Sequence, residues 1–368
     1  MMNDWTEKGY SPSSADQPVQ IWDAQQIEKA EHDIAEAGEI LRQGGIVAFP
    51  TETVYGLGAD AGNSAAVEAV FAAKGRPSDN PLIVHISQLE QLEHLVTDIQ
   101  PVERRLMEHF WPGPLTLVMP VKPGAVSPYV TAGLDTVGVR MPDHPVALRL
   151  ITAAGCPLAA PSANRSGRPS PTTAEHVAED LSSRIQGIVD GGSAGVGVES
   201  TVIQVQEDGT VMILRPGGIT EDQLLTVAPA VMIDPGLSGV SADTTPRAPG
   251  MKYAHYAPRG SMTIVHGEDS AAVRHYINEQ LYQAEQRGER TGVLLFDEDH
   301  VDYGSALHLS LGSRSTPEVA ANRLYACLRT LDAHGITFIL ATGCSENGVG
   351  MAVMNRLSKA AGGRIIYI

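Results

Sequence analysis

Cationic and polar side chains of this 368-residue chain gather in short strings that are rich in glycine and proline. In the string AAKGRPSDNPLIVH, Lys74 and Arg76 stand two positions apart and are followed by Asn80 and His85. An arginine binds phosphate oxygens through paired hydrogen bonds, and a lysine adds a point charge. The turn therefore has the chemistry of a polyphosphate site, with an exposed basic turn as the competing interpretation. His85 taken alone is more typical of a core histidine than of a catalyst.

Other strings of the same kind lie before and after this turn. PTETVYGLGADAG combines hydroxyls and carboxylates with glycines, which let a backbone approach a ligand closely. APSANRSGRPSPT places serines, an asparagine and two arginines on a proline-stiffened loop, and such donors suit phosphate and ribose oxygens. Arg140 stands in an apolar strand pattern, so it needs either an anionic ligand or a structural salt bridge. GVESTVIQV and ILRPGG add Glu199, Ser200, Thr201 and Arg215.

Alternating strands and helices must position these strings. Apolar runs predict strands at 46–50, 81–86, 115–121, 137–141, 157–162, 187–192, 200–205 and 211–216. Helical spacing predicts helices at 23–43 and 64–74, and capping-box spacing of Ser87 with Glu90 and of Thr172 with Glu175 predicts two more. Interleaved strands and helices favour an α/β layered domain.

A second α/β pattern follows a stretch rich in Pro, Gly, Ser and Thr. Its strands are expected at 262–267, 292–297, 336–342 and 364–368, and its helices near 268–287, 316–333 and 351–361. This order is typical of a small doubly wound domain.

Composition limits the class of protein. No stretch approaches the ~18 apolar residues that span a bilayer, and the polar N-terminus lacks a secretory signal pattern, so we expect a cytoplasmic protein. Three cysteines without metal-ligand spacing predict no protein metal site. Residues 1–250 hold 15 Lys and Arg against 31 Asp and Glu, which disfavours a broad basic surface for nucleic acid. Cations kept together in an acidic domain instead indicate a local anion site.

Two familiar enzyme signatures are missing or stand in the wrong context. The chain has no GxxxxGK[ST] string, which excludes a P-loop as the phosphate site. GGSAG at 191–195 matches GxSxG around Ser193, but a strand pattern follows it, whereas a nucleophile elbow requires a helix. An α/β-hydrolase is therefore not expected.

Taken in order, PTETVYGLG, the KxR pair followed by NPLIVH, GPLTLV, VGVRMPDHP, APSANRSGRPSPT, VESTVI and LRPG resemble the motifs of the YrdC-like family. APGMKYAHYAP and MAVMNRLSKAA are similar to the linker and the C-terminal end of that family's two-domain form, the threonylcarbamoyl-AMP synthases. The resemblance implies a polar tail at 1–22, a YrdC-like domain with a twisted mixed sheet at 23–220, a linker at 221–258 and a smaller Rossmann-like α/β domain at 259–368.

The resemblance also implies an activity. Such enzymes join L-threonine, bicarbonate and ATP into threonylcarbamoyl-adenylate and release pyrophosphate, with Mg²⁺ accompanying ATP and no organic prosthetic group. A partner transferase then moves the threonylcarbamoyl group to the adenosine beside the anticodon of tRNA. Membrane binding and direct tRNA binding by this chain are not expected.

Residue roles carry over by motif. The resemblance implies that threonine lies among Thr51, His85, Arg140, Ala160 and Ser200, with Arg140 pairing its carboxylate. It implies that the nucleotide is held by Lys74, Arg76, Asn80, Thr136, Ser162, Ser170, Arg215 and Tyr256, with Tyr253 as the alternative linker tyrosine. Lys74 and Arg76 are expected to act in catalysis by stabilising phosphate charge.

Two other interpretations remain. A double-stranded-RNA-binding module could use the same concave surface, although the acidic charge of residues 1–250 disfavours it. A carbamoyltransferase-like domain of the hydrogenase-maturation type is the other, and the zinc-finger cysteines that accompany it are missing here.

Overall fold

In a computed structural model, residues 19–238 and 256–368 are described. The strands of the first domain are β1 Gln20–Asp23, β2 Val47–Phe49, β3 Gly56–Asp60, β4 Ile83–His85, β5 Leu115–Pro120, β6 Thr136–Arg140, β7 Leu158–Ala159, β8 Gly187–Asp190, β9 Thr201–Val205, β10 Val211–Arg215 and β11 Val231–Ile233. Its helices are α1 Glu31–Arg42, α2 Ser64–Lys74, α3 Leu89–Leu95, α4 Pro101–Phe110, α5 Pro128–Thr131, α6 Pro145–Ala154, α7 Ala174–Leu181 and α8 Glu221–Leu225.

These eleven strands form one sheet in the order β1-β8-β2-β3-β7-β4-β6-β5-β9-β10-β11. Parallel and antiparallel pairs alternate irregularly across it: β4 runs parallel to β6, for example, and antiparallel to β7. The apolar strand β2 is buried along its whole length, as expected of a strand covered on both faces. The sheet confirms the mixed α/β architecture that the sequence predicted.

The second domain has its own sheet. Its strands are β12 Ser261–His266, β13 Thr291–Leu295, β14 Leu307–Ser310, β15 Phe338–Thr342 and β16 Ile365–Tyr367, and its helices are α9 Ser270–Gln286, α10 Pro317–Ala333 and α11 Val349–Ala360. The order is β14-β13-β15-β12-β16, and every pair is parallel. This confirms the smaller α/β domain, with β14 as a strand that the sequence did not predict. In the described part of the chain, no helix has the length and apolar character that crossing a membrane requires.

The N-terminal element differs from the prediction. Strand β1 begins inside the segment 1–22 that was expected to be a tail, and it pairs in parallel with β8. Trp22 of this strand is buried in a core cluster with Ile34 and Leu41 of α1. Residues 20–23 are thus extended, and α1 begins at Glu31 rather than at 23. Residues 1–18 lie outside the described residues.

The segment expected as a linker begins with further structure of the first domain. Helix α8 buries Leu224, and β11 pairs in parallel with β10, so the first sheet continues past residue 220. Most of APGMKYAHYAP, including Tyr253, lies outside the described residues, whereas Tyr256 is described.

Smaller differences concern local signals. The glycine-rich string after β2 continues into strand β3 instead of leading directly to a helix. Helix α7 is capped by Thr173, one residue after the predicted Thr172, and α3 by Gln88 rather than Ser87. Each helix therefore begins one residue later in the chain than predicted, which is within the usual uncertainty of helix boundaries.

Helix α10 of the second domain lies directly on the first domain. The Asn322 side-chain amide donates to the carbonyl oxygens of Ala194 (3.0 Å) and Gly195 (2.8 Å). Gly197 has φ +81°, and a Cβ there would lie 2.3 Å from the Asn322 Cα. The two domains therefore meet backbone to backbone at Gly197.

Replacing Gly197 by alanine should destabilise this contact. The matched control is Gly288→Ala, which has φ +79° and open space around its Cβ position. Both variants carry left-handed backbone strain of about 1–2 kcal/mol, but only Gly197→Ala also forces the domains apart. We expect a clearly larger fall in melting temperature for Gly197→Ala in calorimetry, and equal falls would contradict the close approach.

Candidate functional site

One cavity of about 740 Å³, including its open mouth, lies among the loops at the strand ends of the first domain. Ten of the thirteen side chains expected at the site line it: Thr51, Lys74, Arg76, His85, Arg140, Ala160, Ser162, Ser200, Arg215 and Tyr256. The structure thus brings together motifs that are up to 205 positions apart in the chain.

Three expected residues do not line the cavity. Asn80 is buried beside it, and its carbonyl accepts a 3.4 Å hydrogen bond from Arg76. Thr136 opens β6, four residues before Arg140. Ser170 is fully buried and donates to Glu199 at 2.6 Å, so its hydroxyl is already engaged. Nucleotide contact by these three stays a prediction.

Lys74 is the last residue of α2, and it binds the loop of residues 160–172, here called the serine-rich loop. Its ammonium donates to the carbonyl oxygens of Ser162 and Asn164, the latter at 2.5 Å. The side chain is only 3% exposed, and burial together with the neighbouring Arg76 lowers its pKa well below the usual value. Within the described ranges no carboxylate lies within ion-pair distance of Lys74. A bound anion would supply the missing countercharge.

Arg140 ends β6 and already has an acidic partner. Its guanidinium forms a 2.5 Å ion pair with Glu52 and donates to the Thr53 hydroxyl at 2.9 Å. The structural salt bridge that the sequence left open is therefore present. Sequence reasoning missed both partners, although Glu52 and Thr53 stand within the PTETVYG string.

The threonine-rich turn after β2 is internally fixed. The Thr51 hydroxyl donates to the Val54 carbonyl at 2.6 Å and lies 2.8 Å from the Thr53 hydroxyl. These bonds hold the turn so that its side chains face the cavity and Arg140.

His85 ends β4, directly opposite Arg140 in the parallel register. Its imidazole is buried against the Phe49 ring, and its Nδ1 has no hydrogen-bond partner within the described residues. Burial and the adjacent Arg140 lower the pKa of His85 to about 3. The ring is therefore neutral near pH 7 and offers a polar atom to a ligand rather than a charge.

Arg215 is the last residue of β10 and binds Ser200. Its Nε and Nη2 donate to the Ser200 carbonyl (3.1 and 2.9 Å), and Nη2 also reaches the Ser200 hydroxyl (3.1 Å). Glu199, the preceding residue, lines the cavity too, as do Asn164 and Ser166. The sequence signal for these three was their position inside the VESTVI and APSANRSGRPSPT strings.

The lining combines four cations, several hydroxyls and a neutral imidazole. The cations are Lys74, Arg76, Arg140 and Arg215. Such a cavity suits a ligand with several phosphates, and the apolar Ile83 and Ala160 leave a place for a small aliphatic group beside it.

Comparisons with known proteins match both domains. A family model described as "Telomere recombination" matches residues 39–217, and one described as "Threonylcarbamoyl-AMP synthase, C-terminal domain" matches residues 219–362. A threonylcarbamoyl-AMP synthase of Bacillus subtilis is 53% identical over 333 residues, covering 90% of this chain and 94% of that protein. A threonylcarbamoyl-AMP synthase of Pyrococcus abyssi is 49% identical over 335 residues, covering 90% of this chain and 95% of that protein.

Solved structures agree with these matches. The crystal structure of P. abyssi Sua5 complexed with L-threonine superposes with a TM-score of 0.86 at 47% identity, covering 92% of this chain and 96% of that chain. Since the similarity extends over the cavity, both sheets and the residues between them, the chain belongs to the threonylcarbamoyl-AMP synthase family.

Proposed function

We propose that this protein synthesises L-threonylcarbamoyladenylate from L-threonine, bicarbonate and ATP and releases pyrophosphate. The observation that carries the proposal is the convergence of Lys74, Arg76, Arg140 and Arg215 on one cavity. It occurs in a chain that is 53% identical to a named synthase over 90% of its length. The product serves the first step of threonylcarbamoyladenosine formation beside the tRNA anticodon.

The lining offers separate partners to the two substrates. Lys74, Arg76 and Arg215 offer donors to phosphate oxygens. On the Arg140 side, His85 lies in register with the guanidinium, and Ala160 provides an apolar surface. We place ATP at the first three cations and threonine on the Arg140 side, with the threonine carboxylate on Arg140.

The reaction needs no covalent bond to the protein. The threonine amine adds to the carbon of bicarbonate with loss of water, and a carbamate oxygen then attacks the α-phosphorus of ATP as pyrophosphate leaves. Positioning and charge stabilisation therefore supply the catalysis. Lys74 and Arg76 stabilise the leaving phosphates, and neutral His85 accepts a hydrogen bond from the amine or hydroxyl of threonine.

Mg²⁺ enters this scheme as the companion of ATP. The carboxylates at or beside the cavity, Glu52 and Glu199, are each held by an arginine. We therefore expect phosphate oxygens and water, rather than protein carboxylates, to hold most of the ion's coordination sphere.

The alternative of an RNA-binding module is not favoured. Lys74, Arg140 and Arg215 are buried in the cavity and cannot face the backbone of a duplex. The pathway instead requires a transferase that takes the adenylate to tRNA, and we propose that both act in the cytoplasm.

The activity itself is tested by pyrophosphate release. We expect release only when threonine, bicarbonate and Mg²⁺–ATP are all present, because the carbamate must form before the α-phosphorus is attacked. Omission of each substrate in turn is the control. Equal release without threonine would indicate simple nucleotide hydrolysis and would contradict the proposal.

Arg140 and Lys74 should affect different kinetic constants. Arg140→Ala removes the partner of a ground-state carboxylate and should raise the KM for threonine at least ~30-fold, since a lost buried charge pair costs about 2–5 kcal/mol. Lys74→Ala should mainly lower kcat at saturating ATP. Steady-state kinetics with both substrates varied measure the two effects.

Glu52→Gln is the matched control for Arg140→Ala. It breaks the same ion pair from the other side but keeps the guanidinium, so threonine binding should be retained or tightened. If Glu52→Gln weakens threonine binding as much as Arg140→Ala does, Arg140 acts only through its salt bridge.

Threonine should be preferred over serine, because its methyl group can contact the apolar surface at Ala160. One methyl group is worth ~1–3 kcal/mol, which corresponds to a preference of about 10–200-fold in kcat/KM. Competition between the two amino acids measures this ratio, and equal turnover would show that no apolar surface contacts the methyl.

A further inference from the structure

Glu199 is an acidic residue in a cavity whose other charged side chains are cations. Among the described residues that line this cavity, it is the one acidic side chain, alongside four cations. It lies directly before Ser200, whose carbonyl and hydroxyl accept the hydrogen bonds of Arg215. An uncompensated carboxylate at this point would repel the phosphates of a nucleotide.

Two of the three described side chains that donate hydrogen bonds to Glu199 come from the second domain. Arg356 of α11 donates to its Oε2 at 2.8 Å, and the Tyr325 hydroxyl of α10 lies 2.9 and 3.0 Å from its two oxygens. Ser170 donates to Oε1 from the first domain. Each carboxylate oxygen therefore accepts two hydrogen bonds, Oε1 from Ser170 and Tyr325 and Oε2 from Arg356 and Tyr325.

Several contacts fix the position of the Arg356 side chain. Its side chain is completely buried, its Nη2 donates to the Pro216 carbonyl at 3.0 Å, and its guanidinium lies 5.7 Å from the centre of the Tyr256 ring. Glu199 is the carboxylate with which it forms an ion pair. A buried cation so constrained has little freedom to find another partner.

Charged and titratable groups face Glu199 from each element packed around it. They are Arg215 of β10, Tyr256 after the undescribed segment, Tyr325 of α10, and Arg356 and Lys359 of α11. Burial alone raises the pKa of Glu199, but Arg356 first, then Arg215 and the hydrogen bond from Ser170, bring it down to about 2. The carboxylate is thus ionised at every working pH.

We propose that Arg356 is a positioning residue of the nucleotide site, by which the second domain neutralises Glu199 and holds it away from the phosphates of ATP. The inference rests on the proposed function, because it requires that ATP occupies this cavity. It gives the second domain a direct part in nucleotide binding. In the first domain alone, Glu199 would keep only Arg215 and the hydrogen bond from Ser170 to offset its charge.

Removing Arg356 should make ATP binding depend on pH. Without its guanidinium, desolvation raises the pKa of Glu199. Above the new pKa the carboxylate is charged and repels phosphates, and below it the group is protonated and neutral. The loss of ATP affinity should therefore be large at high pH and shrink as pH falls.

The experiment measures KM for ATP, KM for threonine and kcat of the full chain between pH 6 and 9, with direct titration of Mg²⁺–ATP as a second readout. In Arg356→Met we expect the KM for ATP to rise roughly tenfold or more at pH 9, with less change at pH 6 and in the KM for threonine. Adding Glu199→Gln to Arg356→Met should remove the repulsion and restore the KM for ATP to near the wild-type value at every pH. Arg356→Lys, which keeps the charge, should retain most of the affinity.

Arg329→Met is the matched control. Arg329 of α10 is likewise a buried arginine of the second domain that contacts the first. It donates to the Pro169 carbonyl (2.7 Å) and to Asp180 (2.8 Å). Its loss should lower the melting temperature without a pH-dependent change in the KM for ATP. The same ATP defect in Arg329→Met would show that Arg356 acts only by holding the domains together, and would overturn the proposal.

The remaining outcomes are also decisive. A wild-type KM for ATP in Arg356→Met at all pH values overturns the proposal, and so does a double variant that folds but does not recover ATP binding. If Arg356→Met does not fold, the KM for ATP of the double variant tests the proposal. If the double variant does not fold either, Arg356 acts through stability and the proposal is wrong. If the wild type binds no ATP, the proposed function fails first and takes this inference with it, whereas an active wild type with unaffected variants refutes the inference alone.

Discussion

Buried charges in this protein must find compensation inside the fold, and that constraint determines how its parts are joined. Removing one member of a buried ion pair leaves the other without solvent or partner, which costs several kcal/mol. Arg140 meets this requirement through Glu52, and Arg356 through Glu199. Lys74 meets it only with neutral carbonyl oxygens, which stabilise its charge incompletely. Lys74 therefore gives the cavity a charge that no described carboxylate within ion-pair distance offsets.

The same constraint adds polar bonds to a contact between the domains that also buries Val54 and Val198 against the second domain. Arg168 and Arg329 both bind Asp180 of α7, and Arg329 also reaches the Pro169 carbonyl. Arg168 and Pro169 belong to the serine-rich loop whose earlier residues line the cavity, so α10 holds this loop from outside. Such directional bonds fix the position of a loop more closely than apolar contact does, because each bond has a preferred geometry. The second domain thus helps to shape a cavity that lies in the first.

The sequence predicted the elements whose signals are local. Strand β2 and helices α2, α9 and α10 have strong apolar patterns and were placed within a few residues of their positions. Strand β3 was missed because GLGAD has no apolar alternation, and its pairing with β2 and β7 depends on distant residues. At the site, the resemblance to the YrdC-like family predicted which strings would meet. The ion pair of Arg140 with Glu52 and the turning of Ser170 toward Glu199 are set by tertiary packing, which no spacing in the chain encodes.

The last strand of the first sheet has a practical consequence for dissecting the molecule. Strand β11 covers the outer edge of β10 by parallel pairing, and β10 ends in Arg215. A fragment that stops near residue 220, where motif boundaries suggest a domain end, would leave the backbone donors and acceptors of β10 unpaired along that edge. Open edges of this kind recruit other chains and promote aggregation. Insolubility of such a fragment would then report an uncovered sheet edge, not the absence of the second domain.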